Sequence, residues 1–274
     1  MPPRVVRDID VWGQAMEKFG VRIYGLGAVI LGLLSLISVD FAMQWQPVPK
    51  GVPGHTVLAY ASGAAMMAAG VAVQLPRLSR FGAAALGLLY FTWVVLLHAP
   101  RVAAHPTNIG AWNGVAEISA LAMAGLVGFA LLWNNTERAA GLSRAGRLVF
   151  GLCPLVFGLA HYTYAEFTAS MVPAWIPPNQ LFWAYATGTC HIAAALGILS
   201  GVQARLAARL LSVMFAGFVV LLHIPRVYVD PDSRLEWTMM AIAISLTGAA
   251  WSVADSIGRR PAKAALNPAA EGLS

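Results

Sequence analysis

The chain has 274 residues, of which 58% are hydrophobic and 11% are charged, and its net charge is +6. Soluble domains carry about 25% charged residues. With a mean hydropathy of +0.67, this composition excludes a soluble enzyme, a disordered chain and a secreted disulfide scaffold. The apolar runs are continuous rather than alternating, which argues against an outer-membrane barrel.

Eight apolar runs approach or exceed the length of about 20 residues that a bilayer-spanning helix needs. The first run is too long for the apolar region of a signal peptide, so it predicts a permanent span. The sequence therefore predicts an all-α polytopic membrane bundle with helices at 21–41, 55–76, 81–99, 111–133, 145–168, 180–200, 207–224 and 236–255.

The basic residues predict the orientation of this bundle. Lys50, Arg101, Arg226 and Arg234 fall on one side of the predicted membrane, and the rest of the 18 Lys and Arg residues fall on the other. The positive-inside rule then places both termini in the cytoplasm of a bacterium, with the chain in the inner membrane. Because these residues set topology, the net charge does not predict nucleic-acid binding. The loops predicted to face outward are 42–54, 100–110, 169–179 and 225–235.

The chain contains an internal repeat. The stretch VVLLHAPRV at 94–102 returns as VVLLHIPRV at 219–227, an offset of 125 residues, and weaker matches at offsets of 125 or 126 extend over all four helices of each half. Each half has an even number of spans, so the repeats are parallel. The predicted units are an N-terminal cytoplasmic segment at 1–20, a first repeat at 21–133, a cytoplasmic linker at 134–146, a second repeat at 147–255 and a cytoplasmic tail at 256–274.

Histidine, arginine and carboxylate side chains gather at the predicted outer ends of equivalent helices. They are His98, Arg101 and Asp40 in the first repeat, and His223, Arg226 and Glu166 in the second. The prolines between each histidine and arginine are expected to end the helices there. Ionisable groups in membrane spans usually mark function or pair with each other. The structural alternative is therefore a set of ion pairs at the rim, Arg101 with Asp40 and Arg226 with Glu166.

These side chains favour a quinone site. The carbonyl oxygens of a quinone need His, Arg or Tyr donors at a membrane edge, with apolar walls for the tail. A His–carboxylate pair at the water edge would move the protons that quinone reduction consumes. The predicted catalytic residues are His98, His223, Asp40 and Glu166, and the predicted cofactor-binding residues are Arg101, Arg226, Tyr60, Tyr185 and Trp175.

Two other cofactors stay open. His161, His191, Glu166 and His223 have the ligand types for a transition metal, although they come from different helices and their spacing defines no geometry. Alternatively, His98 and His223, which the repeat relates to each other, would ligate haem b from two facing imidazoles.

The second repeat resembles the DoxX-like family of four-helix membrane proteins. The resemblance rests on ordered motifs at 158–162, 166–167, 171–177, 185–188 and 197–199. The first repeat matches more faintly, through Asp40, Tyr60, Gly63 and the proline-rich outer loop. His191 stands where family members commonly carry a carboxylate, so any role of that carboxylate is altered here. The resemblance implies a tandem-duplicated, eight-helix member of a group that includes redox-associated subunits, one of them from a thiosulfate:quinone oxidoreductase, and cargo receptors.

The leading hypothesis is a redox-associated inner-membrane protein that binds a quinone near its outer face, as a subunit of a quinone-linked oxidoreductase. Its expected partners are membrane lipids and a redox protein, and self-association stays open. Two other classes remain. One is a transporter or carrier of a small molecule or lipid, and the other is a metal- or haem-binding subunit or an anchor for a partner enzyme.

Overall fold

The computed structural model describes residues 19–133 and 137–258. In this part of the chain nine α-helices form, and eight of them are long and apolar enough to cross a membrane. The eight are α1 (Phe19–Ser38), α2 (His55–Gln74), α3 (Ser79–Ala104), α4 (Ile109–Leu131), α5 (Glu137–Thr163), α7 (Gln180–Ser200), α8 (Ala204–Val229) and α9 (Arg234–Ser256). The short helix α6 (Ala165–Met171) lies between α5 and α7. The predicted all-α membrane bundle is confirmed, while nearly all of the predicted N-terminal segment and tail lie outside the described residues.

The repeat is visible in local contacts as well as in the order of the helices. Both α4 and α9 begin at a side-chain cap that accepts a hydrogen bond from the first turn. The Trp112 indole donates to the carbonyl oxygen of Pro106 at 2.8 Å, and the Trp237 indole donates to that of Pro231 at 2.9 Å. The same capping and anchoring contacts therefore recur in both four-helix repeats.

Helices α3 and α8 continue past the prolines that were expected to end them. In each helix five residues adopt π-helical geometry, at Val94–His98 and Val219–His223. α-Helical geometry then resumes, so that Pro100 and Pro225 fall in the first turn of the renewed α-helix. A proline tolerates that position because its missing N–H is not needed there. The prediction that these prolines end the helices is wrong, and the arginines that follow them lie on helices.

Helix α5 also differs from its predicted bounds. It begins at Glu137 rather than at 145, and it ends at Thr163 rather than at 168. The described part of the predicted linker, 137–146, is therefore helical and extends the fifth span. Helix α6 then occupies the place where the sequence predicts the outer end of that span.

The eight spans form a closed ring. Each long helix packs against the next one in the chain, and α9 returns to pack against α1. Helices α4 and α9 also pack against each other across the ring, and most of their residues are buried. They divide the bundle into two compartments. We call the space within α1, α2, α3, α4 and α9 the first compartment, and the space within α4, α5, α7, α8 and α9 the second compartment.

Glycines allow these helices to approach closely. A Cβ atom at Gly32 would lie 2.6 Å from the backbone nitrogen of Met67 on α2, and one at Gly27 would collide with Ser245 on α9. Membrane helices commonly pack through such small residues. Gly27 and Gly32 of α1 are therefore packing residues.

Large side chains fill the first compartment. Tyr24, Met66 and Tyr90 are fully buried. The hydroxyl group of Tyr24 donates to the carbonyl oxygen of Leu121 at 3.0 Å. The rings of Tyr90 and Trp93 pack edge to face, with 5.1 Å between their centroids. These side chains belong to the buried hydrophobic core of the bundle.

Candidate ligand-binding site

The second compartment encloses a cavity of about 480 Å³. Its walls come from α4, α5, α7, α8 and α9, and α6 and the loop after it also contribute. Most of its lining is apolar, with aromatic rings from Phe157, Trp183, Phe215 and Phe218. It lies toward the end of the bundle that the sequence predicts to face outward. An apolar cavity of this size with a few polar groups is typical of a small-molecule site.

Three histidines line the cavity, His161, His191 and His223. The rings of His161 and His191 lie 4.9 Å apart between centroids, and Nδ1 of His161 donates to the carbonyl oxygen of Phe157 at 2.8 Å. His191 and His223 are 1% and 7% exposed, and Nδ1 of each is buried without a hydrogen-bond partner among the described residues. Buried polar groups are nearly always hydrogen-bonded. These two imidazoles are therefore polar groups in the wall of the cavity whose hydrogen-bonding capacity the described chain does not use in full.

The first repeat contributes a carboxylate to the same cavity. Glu117, on α4, lines the cavity together with Trp45 and Asn113. Its Oε2 accepts a hydrogen bond from the Trp45 indole at 2.7 Å, and its Oε1 accepts one from the Asn113 amide at 3.2 Å. Glu117 is absent from the residues predicted from the sequence. The available signal was a lone carboxylate inside an apolar span, which usually marks function or pairing.

His98 is the repeat equivalent of His223 but has a different environment. Its Nε2 lies 3.0 Å from the backbone carbonyl oxygen of Trp45, so this nitrogen donates to the carbonyl. The indole of the same tryptophan donates to Glu117. His223 is among the residues that line the cavity, and His98 is not. Of the two histidines predicted as a pair, one therefore faces the cavity and the other supports its wall.

Arg226 forms an ion pair with α9 rather than with Glu166. Its Nη2 and Nε atoms both donate to Oε1 of Glu236, at 2.7 and 2.9 Å. The repeat equivalent of Glu236 is Ala111, so the first repeat lacks this carboxylate. Accordingly, Arg101 is exposed and has no ion pair with any described residue.

Asp40 forms an ion pair that joins the two repeats, instead of the predicted pair with Arg101. Nη1 of Arg234 lies 3.3 Å from Oδ2 of Asp40, and Arg234 also donates to the carbonyl oxygen of Phe41. Burial by itself raises the pKa of Asp40, but the Phe41 N–H at 2.8 Å and the charge of Arg234 lower it below its ordinary value. Asp40 does not line the cavity, so its contacts are structural ones at the start of α9.

The remaining predicted ligand contacts also lie outside the cavity. Tyr60, Tyr185 and Trp175 are 45%, 41% and 73% exposed, and Glu166 is exposed on α6. None of them is among the lining residues, which on α7 include Trp183 instead. The cavity thus lies toward the end of the bundle where the sequence predicts a site, but further inward than the rim.

The two predicted ligand sets for metal and haem are not assembled. Among the described residues, no group of three or more His, Cys, Asp or Glu side chains is placed to hold a metal ion. Glu166 lies outside the cavity that contains His161, His191 and His223. The haem pair likewise has only His223 in the cavity, because His98 is turned to Trp45. Metal and haem binding stay predictions without a ligand set.

Comparison with known proteins gives one match. Residues 150–254 match the model of a family described as a domain of unknown function (DUF8561). The chain matches none of the curated proteins and none of the solved structures. The matched segment contains the three cavity histidines, whereas Trp45 and Glu117 precede it. Over its second repeat, the chain is therefore similar to a family whose description names no activity.

Proposed function

We propose that this membrane protein binds a quinone in the cavity of the second compartment. The observation that supports this most directly is the pair of buried imidazoles, His191 and His223, whose Nδ1 atoms lack a partner in the described chain. A neutral imidazole N–H donates to a carbonyl oxygen. A quinone headgroup carries two such oxygens on a flat apolar ring, which suits the aromatic walls of the cavity.

The lining of the cavity also suits a ligand with an apolar tail. Phe167 and Leu221 are lining residues, and they are 68% and 41% exposed at the surface of the bundle. Leu221 lies on the spanning helix α8. A headgroup can therefore enter from the lipid, and its tail can remain among the acyl chains of the bilayer.

In this proposal the cavity opens on the periplasmic side of a bacterial cytoplasmic membrane, with both termini in the cytoplasm. The distribution of basic residues supports this orientation through the positive-inside rule. Basic residues near the opposite end of the bundle from the cavity include Arg77, Arg80, Arg138, Arg144, Arg147, Arg205 and Arg209.

The resemblance of the second repeat to DoxX-like proteins supports a redox association. Its motifs run from α5 to α7 and include His161, which lines the cavity. We infer a tandem-duplicated DoxX-like protein that exchanges quinone with a redox partner protein and serves as a subunit of a quinone-linked oxidoreductase.

The proposal predicts that filling the cavity expels the quinone. Gly217 lines the cavity, and a Cβ atom at this position would meet nothing within 4 Å. Gly217→Leu therefore adds a side chain without a backbone clash. The detergent-purified protein is extracted with organic solvent, and the quinone per protein is measured by chromatography. We expect the wild type to carry quinone and the variant to lose most of it.

Gly141→Leu is the matched control. Gly141 also lies on a helix, and a Cβ atom at this position would likewise meet nothing within 4 Å, but it sits on α5 at the opposite end of the bundle. This variant should keep the wild-type quinone content. Equal quinone content in wild type and Gly217→Leu would contradict the proposal. So would a wild-type protein that takes up no quinone when incubated with an excess of a short-tailed analogue.

A carrier of an amphipathic organic cation is the second candidate. It is favoured by the carboxylate of Glu117 beside several aromatic rings, since cations bind over aromatic faces and pair with carboxylates. Uptake of a fluorescent lipophilic cation into proteoliposomes, lost in Gly217→Leu, would favour this function over quinone binding.

A further inference from the structure

Among the described residues, Glu117 meets only side chains that donate hydrogen bonds to it. The Trp45 indole has an N–H and no acceptor, and Asn113 is turned so that its NH₂ group faces the carboxylate. Neither contact can take a proton from Glu117, so both oppose the protonation that burial of a carboxylate favours. Each carboxylate oxygen can accept more than one hydrogen bond. Glu117 therefore has accepting capacity left for a ligand in the cavity.

The position of this carboxylate is set before a ligand arrives. Trp45 is 4% exposed, and its backbone carbonyl accepts a hydrogen bond from His98 at 3.0 Å. The indole that holds Glu117 is thus fixed at its backbone as well as by packing. Preorganised contacts of this kind improve affinity because little freedom is lost on binding. At the repeat-equivalent position the chain has Ile242, which cannot accept a hydrogen bond.

We propose that Glu117 selects the reduced, hydroxyl-bearing form of the ligand, a hydroquinone, over the oxidised quinone. This inference rests on the proposed function. A quinone presents only acceptor oxygens, which a carboxylate repels, whereas a hydroquinone presents two hydroxyl donors. His191 and His223 suit either form, since a neutral imidazole has one donor and one acceptor nitrogen. The choice between the forms therefore falls to Glu117.

The full-length protein in detergent is titrated anaerobically with a decyl-tailed benzoquinone and, separately, with its hydroquinone. Quenching of tryptophan fluorescence reports binding, because Trp45 and Trp183 line the cavity. We expect the hydroquinone to bind about tenfold more tightly, which corresponds to about 1.4 kcal/mol. Hydrogen bonds to charged groups contribute amounts of this order.

Glu117→Gln keeps the shape of the side chain and replaces one acceptor by a donor. The preference for hydroquinone should disappear, and quinone should bind at least as tightly as to the wild type. Glu117→Ile copies the residue of the other repeat, and it should remove the preference without a gain for quinone. Asp232→Asn makes the same kind of change at an exposed carboxylate between α8 and α9, and it should keep the wild-type preference.

The outcomes separate this inference from the proposed function. If both forms bind the wild type and the preference survives in Glu117→Gln and Glu117→Ile, Glu117 does not select the ligand and this inference fails alone. If neither form binds, the quinone function fails as well. A third outcome is that a lipophilic phosphonium cation binds the wild type but not Glu117→Gln, while hydroquinone binds neither protein. This outcome would identify a cation site and overturn both this inference and the proposed function.

Discussion

The two compartments are formed by equivalent helices, yet side chains fill the first and a cavity occupies the second. Three buried aromatic residues of the first repeat, Tyr24, Tyr90 and Trp93, correspond to Phe150, Phe215 and Phe218 in the second. Two of these exchanges remove a hydroxyl group that donates a hydrogen bond in the first repeat, and the third replaces an indole by a smaller ring. The comparison indicates that a duplicated backbone can keep its packing frame while the side chains inside each copy diverge.

The same comparison separates His98, which has a backbone partner, from His223, whose Nδ1 has none among the described residues. In the first repeat the segment after α1 includes a short 3₁₀ turn, Met43–Trp45, whose last carbonyl accepts from His98. The equivalent segment of the second repeat is the helix α6, and it offers no hydrogen bond to His223 in the described structure. The segment after the first span of each repeat therefore decides whether the histidine is held by a backbone carbonyl of that segment.

The largest expected effect tests whether the first compartment is the structural core. Tyr90 is fully buried in contact with Trp93, so Tyr90→Ala should lower the free energy of unfolding by about 3–5 kcal/mol. Phe215→Ala should lower the free energy of unfolding by a clearly smaller amount, because part of the Phe215 ring already borders the cavity. Unfolding in mixed micelles with increasing dodecyl sulfate would compare them. Equal costs would contradict the distinction between a filled and a hollow compartment.

A smaller effect is expected where the arginines of the two repeats differ. Arg226→Ala leaves the Glu236 carboxylate, which is 8% exposed, without its ion-pair partner. Unpaired charged groups that are partly buried cost about 1–3 kcal/mol. Arg101→Ala, at the equivalent exposed position, should change stability by less than about 0.5 kcal/mol. The same micelle titration measures both, and a large loss in Arg101→Ala would show that the repeats are more alike at this rim than their contacts indicate.

The smallest effect concerns the ion pair that joins the repeats. The pKa of Asp40 is lowered in the folded protein, so its contribution is present above the unfolded value of about 3.9 and is lost as the pH falls through the folded pKa. The carboxylate is 40% exposed, which limits the contribution to at most about 1 kcal/mol. Asp40→Asn should therefore unfold at a slightly lower temperature than wild type at pH 7, and the difference should shrink as the pH falls through the folded pKa of Asp40. A difference that does not change with pH over the acid range would assign the effect to packing instead.

Much of the fold follows from sequence because length and hydropathy decide which segments can span a bilayer, and the repeat follows from matched residues. The continuation of α3 and α8 past Pro100 and Pro225 could not be predicted from the sequence, because a π-helical segment depends on hydrogen bonds that no local sequence pattern indicates. The packing of α9 against α1 could not be predicted either. In the sequence, contacts between distant helices are marked only by small residues, such as Gly27 on α1.

The candidate site was partly predictable for a similar reason. The depth of the polar residues along each predicted span indicates a site at the end of the bundle where the cavity lies. The metal hypothesis includes His161, His191 and His223. The prediction of ion pairs at the rim assumes that charged side chains at the same depth in the membrane lie in contact with each other. In the structure, Arg226 instead pairs with the neighbouring helix, whose first turn brings Glu236 within reach. Glu117 was missed because its role depends on Trp45, a residue of a loop distant in sequence.

The shared walls α4 and α9 have a consequence for how such a protein could arise. Each compartment takes four walls from its own repeat and the fifth from the other, so a single four-helix unit cannot close around its own interior. Before gene duplication and fusion, an ancestor of this plan would have enclosed a compartment only as a parallel homodimer. In that dimer, both interiors were identical. Fusion into one chain released them from that identity, so the two interiors could diverge, and one now encloses a cavity that Glu117 of the other repeat helps to line.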